Sequence, residues 1–391
     1  MWKILSIFGC LLIVIFLLVV RQTHAQSEQD VRNQIKELEQ KLVEIGQQKK
    51  TLASQIANFD TQIKLAQLKI DQTEIEVASL SATIVKIENS ITNLSVIYQK
   101  RVISSYQLNR LGDPFLSLLT AKDLPSLISR AYYLKLLQER DRDLLFNLQT
   151  SQTALETEKI ALENLQKKLE SQKIYLSRQI EAKNKLLEVT KNDESKYQQL
   201  LVQAKAQLAA FKRFVARQGG ASLLSNQTKC DGWGCYYNQR DSQWGTMAMG
   251  NSSDTLAEYG CLVTSMAMIA SHYGKSLKPA DIAASPNVFF GNTGYMNQGS
   301  WTAQGVTATR TRVCASCGLD AVKQKIDNEL NNGNPVVVGL YSGPDHFIVI
   351  KGKEGDNYIM NDPFVENGGN IKLTDKYNLS DIKTVDIVRV Y

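Results

Sequence analysis

The stretch YGCLVTSMAMIASHYG, residues 259–274, decides how the C-terminal part of this sequence folds. Cys261 follows Gly260 directly and precedes a run whose apolar residues recur every three or four positions, which is typical of a helix packed through one face. A thiol in the first turn of a helix lies at the positive end of the helix dipole, which stabilises the thiolate, and the free N–H groups there can bind an oxyanion. Cys261 is therefore either a nucleophile or an ordinary buried cysteine of a core.

The segment HFIVIKG, which begins at His346, alternates as a strand and supplies a candidate base for that cysteine. The residues KEGDN then form a turn, and YIMNDP returns as a second strand. If Gly352 pairs with Asp356 across a three-residue loop, His346 and Asp362 become neighbours on one face. A carboxylate that orients an imidazole beside a thiol is the arrangement of a catalytic triad, although each residue alone has an ordinary structural role. The combined pattern predicts that Cys261, His346 and Asp362 form one catalytic unit.

Two glutamines in the upstream motif YYNQRDSQWG are candidates for the oxyanion hole of such an enzyme. A side-chain amide stabilises an oxyanion without competing for protons, and both Gln239 and Gln243 offer one. The motif on its own does not choose between them, and it is also compatible with a plain polar turn. His272 lies on the predicted helix of Cys261, roughly 16 Å farther along by helical rise, so it cannot be the base of that cysteine.

Together, the motifs YYNQRDSQWG, YGCLVTSMAMIASHYG and NGNPVVVGLYSGPDHFIVIKGKEGDNYIMNDP resemble papain-like cysteine peptidases akin to the double-glycine leader peptidases of bacteriocin export. The resemblance covers about residues 235–391 and implies an α+β papain-like fold. It also implies the role of each matched residue, with Cys261 as nucleophile, His346 as base, Asp362 as orienting residue and Gln239 as oxyanion donor. Leader peptidases act in the cytoplasm as parts of transporters, so the export signal described next argues against leader processing.

The N-terminal segment, residues 1–25, resembles an export signal. A basic start, MWK, precedes a long uncharged apolar run, and RQTHA places Thr23 and Ala25 at the small-residue positions of a cleavage site. The segment is either a signal peptide that is cleaved after Ala25 or an uncleaved membrane anchor, and either one predicts an extracytoplasmic protein, secreted or held in the cell envelope. The net charge of the 391 residues is only +6, without a basic stripe interleaved with aromatics, which argues against a nucleic-acid-binding protein.

Five cysteines remain beyond the N-terminal apolar run, and an odd number in an exported chain needs a reason. CDGWGC and CASC contain two close pairs, Cys230 with Cys235 and Cys314 with Cys317, which leaves Cys261 over. These four residues are disulfide candidates, paired either locally or across the two motifs, and the alternative is a four-cysteine zinc site. We expect Cys261 to be reduced and the other four to be oxidised, with no cofactor and no catalytic metal.

Residues 26–217 have a different composition, rich in Gln, Lys, Glu, Leu and Ile. Apolar residues recur at steps of three, four and seven over many turns, which predicts coiled-coil helices whose seam closes either within the chain or between chains. The first helix ends near Gly112 and Pro114, and the second starts at Pro125 and continues to Arg217, because no proline or glycine interrupts it. The pattern predicts a long antiparallel hairpin.

Two more segments complete the predicted organisation. Residues 218–229 are rich in glycine and small polar residues and form a flexible linker, and residues 230–391 form one compact domain. The predicted fold class is multidomain, with a long antiparallel α-helical coiled coil followed by an α+β papain-like domain.

The tip of the predicted hairpin, residues 106–133, is unusually apolar for a solvated turn. Either short helices fold back and bury this apolar surface, or the surface docks on a partner; the two alternatives are not exclusive. The segments RVISSYQ, LTAKDLPSLISRAYYLKLL and DRDLL, within residues 30–215, resemble the coiled coils of murein-hydrolase activators and of PcsB-type cell-wall hydrolases. This resemblance implies docking on a membrane-embedded division complex of the FtsE–FtsX type, and restraint of an attached hydrolase domain.

Two functions fit these features. The first is an exported cysteine peptidase that cuts peptidoglycan peptides or other envelope peptides through an acyl-enzyme, with the coiled coil as an arm for docking and regulation. The alternative is a non-catalytic envelope adaptor that activates another murein hydrolase. The triad favours the first, whereas the helical arm fits both.

Overall fold

The structure is a computed structural model. It describes residues 30–45, 50–111, 118 and 121–391. The predicted signal peptide or anchor and the predicted reversal near Gly112 lie outside the described residues. Within the described residues, no helix combines the length and the apolar character needed to cross a membrane.

Three long helices form most of the N-terminal half, and residues 30–45 are helical as well. Their bounds are α1, Leu52–Leu111; α2, Leu124–Thr190; and α3, Glu194–Arg217. The start of α2 is as predicted, since the carboxylate of Asp123 accepts a hydrogen bond from the amide of Ser126 at 2.8 Å and so caps the helix.

The break between α2 and α3 contradicts the prediction of an uninterrupted helix from Pro125 to Arg217. Lys191 and Asn192 adopt left-handed backbone angles, with φ of 51° and 54°. Asp193 then caps α3, because its carboxylate accepts the amide of Lys196 at 2.6 Å. The physical reason is the motif KND, in which asparagine tolerates the left-handed conformation and aspartate is a strong N-cap.

The chain divides into two compact units, and the first contains Ala66–Ile174. In that unit α1 and α2 run antiparallel. The ion pairs between them show this, since the residue number on α1 falls as the residue number of its partner on α2 rises. These pairs are Arg101–Asp141, Glu88–Lys159, Glu76–Lys168 and Glu74–Lys173. The side chains are largely exposed, so the pairs define the register more than they stabilise it.

The second unit contains Glu37–Leu65 and Tyr175–Tyr391. It therefore includes the ends of α1 and α2 and all of α3, which the sequence assigned to the coiled coil, together with the whole C-terminal domain. A shared apolar cluster joins them, in which the rings of Tyr197 on α3 and Phe290 of the C-terminal domain lie 5.5 Å apart. Amide hydrogen bonds between Gln179 and Asn251 add a polar contact at 2.8 Å.

The C-terminal domain is built on a seven-stranded antiparallel sheet with the order β3-β4-β9-β5-β6-β7-β8, and a small hairpin of β1 and β2. The strands are β1, Lys229–Asp231; β2, Gly234–Tyr236; β3, Gly299–Ala303; β4, Val306–Ala315; β5, Val336–Leu340; β6, His346–Glu354; β7, Asn357–Asn361; β8, Ile371–Lys372; and β9, Ile382–Val390. The helices are α4, Leu256–Tyr259; α5, Cys261–His272; α6, Pro279–Ala283; and α7, Leu319–Asn331.

Helices cover both faces of this sheet. Phe347 and Val349 of β6 pack in the cluster that contains α5, whereas Ile348 and Ile350 pack in the cluster that contains Val322 of α7. Successive residues of a strand point to opposite faces, so a strand between two layers is apolar throughout, as in VVVGL of β5. The predicted fold class, long helices followed by an α+β domain, is confirmed.

Residues 218–229, expected to be a flexible linker, are bound to the domain surface. The amide of Leu224 donates to the carbonyl of Arg240 at 2.8 Å, and the amide of Ser242 donates back to the carbonyl of Leu224 at 2.7 Å. The side-chain oxygen of Gln227 accepts the amide of Asn367 at 2.8 Å. The end of α3 is thereby connected to the C-terminal domain through a fixed segment.

The hairpin of β6 and β7 has a different register from the predicted one. Glu354 lies opposite Asn357, so the turn has two residues, and Gly355 takes a φ of +58° that favours glycine. Gly352 therefore pairs with Ile359 and not with Asp356. The tight turn formed by Gly355 and the residue after it overrides the three-residue loop assumed from the sequence.

Candidate active site

Cys261 is the first residue of α5, as the sequence predicted for the helix, and its side chain forms no disulfide with any described cysteine. Only 3% of its surface is exposed. A Cβ at Gly260 would lie 2.5 Å from the carbonyl oxygen of Leu256, so the close approach of α4 to α5 requires glycine there. The Gly-Cys pair thus places the thiol at the N-terminus of a buried helix.

The imidazole of His346 is the second group of the site, at the start of β6 and fully buried. Its Nε2 lies 2.9 Å from Oδ1 of Asp362. Nδ1 is buried and has no regular hydrogen-bond partner among the described residues. Burial opposes the charged ring, but the charge and hydrogen bond of Asp362, together with interaction with Cys261, outweigh it and raise the pKa of His346 to about 9.

Asp362 reaches His346 from the loop after β7, and not from the strand position assumed in the sequence analysis. Its Oδ1 also accepts the amide of Phe364 at 2.8 Å, while Oδ2 accepts the hydroxyl of Tyr377 at 2.7 Å. Burial favours the neutral acid, but the imidazole and these hydrogen bonds outweigh that effect and lower the pKa of Asp362. The carboxylate is therefore ionised and held in one orientation.

Tyr377 was missed by the sequence analysis. It follows the 3-10 helix Leu373–Asp375, fifteen positions beyond Asp362, and no local motif marks it. Burial and the charge of Asp362 raise the pKa of Tyr377, so the hydroxyl keeps its proton and donates a hydrogen bond to the carboxylate. The sequence contained no signal for this contact because it depends on how the loop after β8 returns to the sheet.

The two candidate oxyanion donors have different environments. Gln239 is buried, and its Nε2 donates to the carbonyl of Ala257 on α4 at 2.8 Å. Its backbone amide donates to the carbonyl of Pro363 at 2.7 Å, so it bridges the loop of Asp362 and the helix that precedes Cys261. Gln243 is exposed. The Nε2 of Gln239 has a second N–H beyond the one that Ala257 accepts, and its Oε1 is buried with no hydrogen-bond partner among the described residues.

Helix α3 covers this group of residues, which the sequence analysis did not foresee. The ring of Phe214 stacks on the imidazole of His346 with 4.1 Å between centroids and 5° between planes. One turn earlier, Phe211 contacts Phe347 edge-on at 5.9 Å. Arg217 pairs at 2.7 Å with Asp345, the residue before His346. The site is closed in this conformation.

His272 is at the other end of α5 and takes no part in the site. Its Nδ1 lies 2.9 Å from the carbonyl oxygen of Trp233, and the two rings stack at 4.8 Å. The four other cysteines among the described residues form two local disulfides, Cys230–Cys235 and Cys314–Cys317.

A helix-borne thiol, an imidazole on a neighbouring strand and a carboxylate that holds the imidazole are the geometry of a papain-like cysteine peptidase. Residues 235–383 match the family model described as "Peptidase_C39 like family". The match covers the C-terminal domain and supports a cysteine-peptidase type of function for it, while it does not extend to the long helices. A search of curated proteins found no match. A search of solved structures found none either.

Proposed function

We propose that this protein is an extracytoplasmic cysteine peptidase, with Cys261 as nucleophile, His346 as base, Asp362 as orienting residue and Gln239 as oxyanion donor. The observation that carries the proposal is the buried hydrogen bond between His346 and an ionised Asp362, formed next to the thiol of Cys261, which lies at a helix N-terminus and pairs with no described cysteine. A structural core has no use for such a combination, because each buried charge costs free energy.

The reaction follows from these positions. The raised pKa of His346 keeps the proton taken from Cys261 on the imidazole, and the resulting thiolate attacks the carbonyl carbon of a peptide bond. The amide of Gln239 and the free N–H groups of α5 stabilise the oxyanion. The imidazolium returns the proton to the leaving amine, which departs and leaves an acyl-enzyme. Water, deprotonated by His346, then attacks the thioester and releases the acid together with the thiol.

Peptidoglycan peptides or other envelope peptides are the substrates we propose. The two disulfides support an extracytoplasmic location, since such bonds persist in oxidising compartments. The export segment of residues 1–25 and the resemblance to cell-wall hydrolases favour the envelope. The segment either is cleaved, which gives a secreted protein, or anchors the chain in the membrane.

The arm serves docking and regulation in this proposal. The described part of the tip exposes large apolar side chains, with Tyr106, Leu124 and Tyr132 each 68% exposed. A membrane-embedded division complex of the FtsE–FtsX type is the partner implied by the resemblance. Because α3 closes the site, we propose that docking is accompanied by withdrawal of α3, which admits the substrate.

The closed site also fits the alternative of a non-catalytic envelope adaptor. In an adaptor, α3 would remain on the domain, or its release would expose a surface that activates another murein hydrolase.

Hydrolysis of purified peptidoglycan by the full chain, opened by Phe214→Ala, discriminates the two functions. Mass spectrometry of the products identifies the bond that is cut. Cys261→Ala is expected to reduce turnover to background, and adding His346→Ala is expected to cost nothing further, because the two residues act as one unit. Retained hydrolysis in a folded Cys261→Ala chain would exclude the peptidase. The full-length chain is required because α3 belongs to the same compact unit as the C-terminal domain.

A further inference from the structure

A second feature of the closed site is a small pocket beside the nucleophile. Leu262 and Val263, directly after Cys261, form one wall, and Phe347, directly after His346, forms another. Gln207 of α3 and its neighbour Phe211 close it and leave a cavity of about 10 Å³, room for about one water. When α3 withdraws, this pocket becomes a subsite next to the scissile bond.

The pocket carries an unbalanced positive charge. Nη1 of Arg310 lies 2.7 Å from Asp386, and Arg312 binds the same carboxylate through Nε at 2.7 Å and Nη2 at 3.1 Å. Two guanidinium groups against one carboxylate leave a net charge of +1. None of the described residues that line the pocket carries a carboxylate. Asp254 lies behind the opposite wall, where it accepts the amide of Gly294 at 2.8 Å.

The arginines keep capacity for a ligand. Arg310 is 2% exposed, and its Nε is buried with no hydrogen-bond partner among the described residues. Its Nη2 reaches only the carbonyl oxygens of Met296 and Asn297, at 3.5 and 3.4 Å. Tyr295 lines the same pocket as both arginines. The side chain of Arg310 is 1% exposed and that of Arg312 is 26% exposed, so Asp386 has to offset one charge that is shielded from water and a second that is partly shielded.

We propose that this pocket binds a carboxylate of the substrate, so that the peptidase prefers peptides with a free carboxyl group within about two residues of the scissile bond. The inference rests on the proposed peptidase function and names the substrate class within it. Asp386 occupies the Nε and Nη2 of Arg312, so a substrate carboxylate accepts hydrogen bonds from the remaining Nη1 of Arg312 and from the hydroxyl of Tyr295, and it restores the charge balance that Asp386 alone does not supply.

Matched peptides test the subsite. Each pair consists of two peptides that differ only by Glu or Gln at one position. The position is varied over the two residues on each side of the cut bond, and the full-length Phe214→Ala chain is the enzyme. We expect the Glu peptide of one pair to have a kcat/KM at least about tenfold higher, the size of one hydrogen bond to a charged group. Arg312→Gln in the same chain should reduce that ratio to below about twofold.

Arg389→Gln is the matched control, because Arg389 belongs to the same sheet but pairs with Glu329 on α7, which covers the other face. It should retain the full ratio. Equal cleavage of Glu and Gln peptides by the Phe214→Ala chain, or a ratio that survives Arg312→Gln, would overturn the subsite. If Phe214→Ala does not fold, Arg217→Ala, which removes the ion pair with Asp345, provides a milder opening.

Binding separates this inference from the peptidase itself. Fluorescence anisotropy of the same labelled peptides is measured on the opened chain that also carries Cys261→Ala. If the Glu peptide binds more tightly than the Gln peptide, but the opened chain that retains Cys261 cleaves neither, the peptidase function is refuted and the subsite is upheld. Cleavage without a preference refutes only the subsite, and so does the failure of both peptides to bind.

Discussion

Replacing Phe214 by alanine is expected to release the site that α3 closes. The ring is 2% exposed, stacks on His346 at 4.1 Å and contacts Phe364 edge-on at 5.3 Å. Truncating a buried phenylalanine costs about 3 kcal/mol or more. Because the ring is buried only while α3 is in place, that cost falls on the closed conformation. It raises the equilibrium constant for opening by roughly 100-fold, at about 1.4 kcal/mol for each factor of ten.

The measurement is the rate at which a thiol-directed probe labels Cys261 in the full chain, followed by intact mass. The rate should rise by up to about 100-fold in Phe214→Ala, and peptide hydrolysis should rise with it, since both need the open site. Phe289→Ala is the control, because that ring is also 2% exposed but packs against Gly250 instead of His346. It should lower the melting temperature without accelerating the labelling. Unchanged labelling in a folded Phe214→Ala chain would refute the gating role of α3.

Three further predictions concern the groups around the imidazole. Gln239→Ala should lower kcat by about 10²- to 10³-fold with little change in KM, whereas Gln243→Ala should change neither constant much. Steady-state kinetics of the opened chain measures both, and the reverse result would assign the oxyanion donor to Gln243. The raised pKa of His346 stabilises the fold fully below pH 6.5, and this contribution disappears as the pH rises through about 9. The free energy of unfolding from urea titrations should therefore fall over that interval, and His346→Gln should flatten it; an equal slope in both chains would contradict the assignment. Tyr377→Phe removes a hydrogen bond that favours ionised Asp362, so the acidic limb of kcat/KM should move to higher pH, while an unmoved limb would show that the hydroxyl only fills space.

Local signals in the sequence were sufficient for the main elements of the fold. The glycine before Cys261 and the apolar spacing after it predicted a helix that starts at the thiol, and the alternation after His346 predicted a strand. The register of the following hairpin was wrong, because the two-residue turn at Gly355 shifts every pair. Asp362 still reaches His346 from the loop beyond β7, so a correct expectation rested on an incorrect pairing.

Contacts between distant segments were beyond the sequence. The position of Phe214 on His346 depends on the break before α3, and that break was overlooked although Asn192 and Asp193 are good residues for ending one helix and capping the next. Tyr377 gave no signal at all, because its contact with Asp362 depends on the return of a loop. The burial of Gln239 likewise depends on its contacts with the distant residues Ala257 and Pro363, which the motif shared with Gln243 does not reveal.

The packing of α3 against His346 has a chemical consequence for the thiol of Cys261. The described part of the chain holds two disulfides and the free thiol of Cys261, which is open to exchange with them and to oxidation, and both reactions need access to the thiolate. While Phe214 is in place, Cys261 is 3% exposed and shielded from peroxide and from foreign disulfides. If α3 withdraws as proposed, the movement that admits a substrate also exposes the sulfur to oxidation, so the closed position of α3 protects the thiol as well.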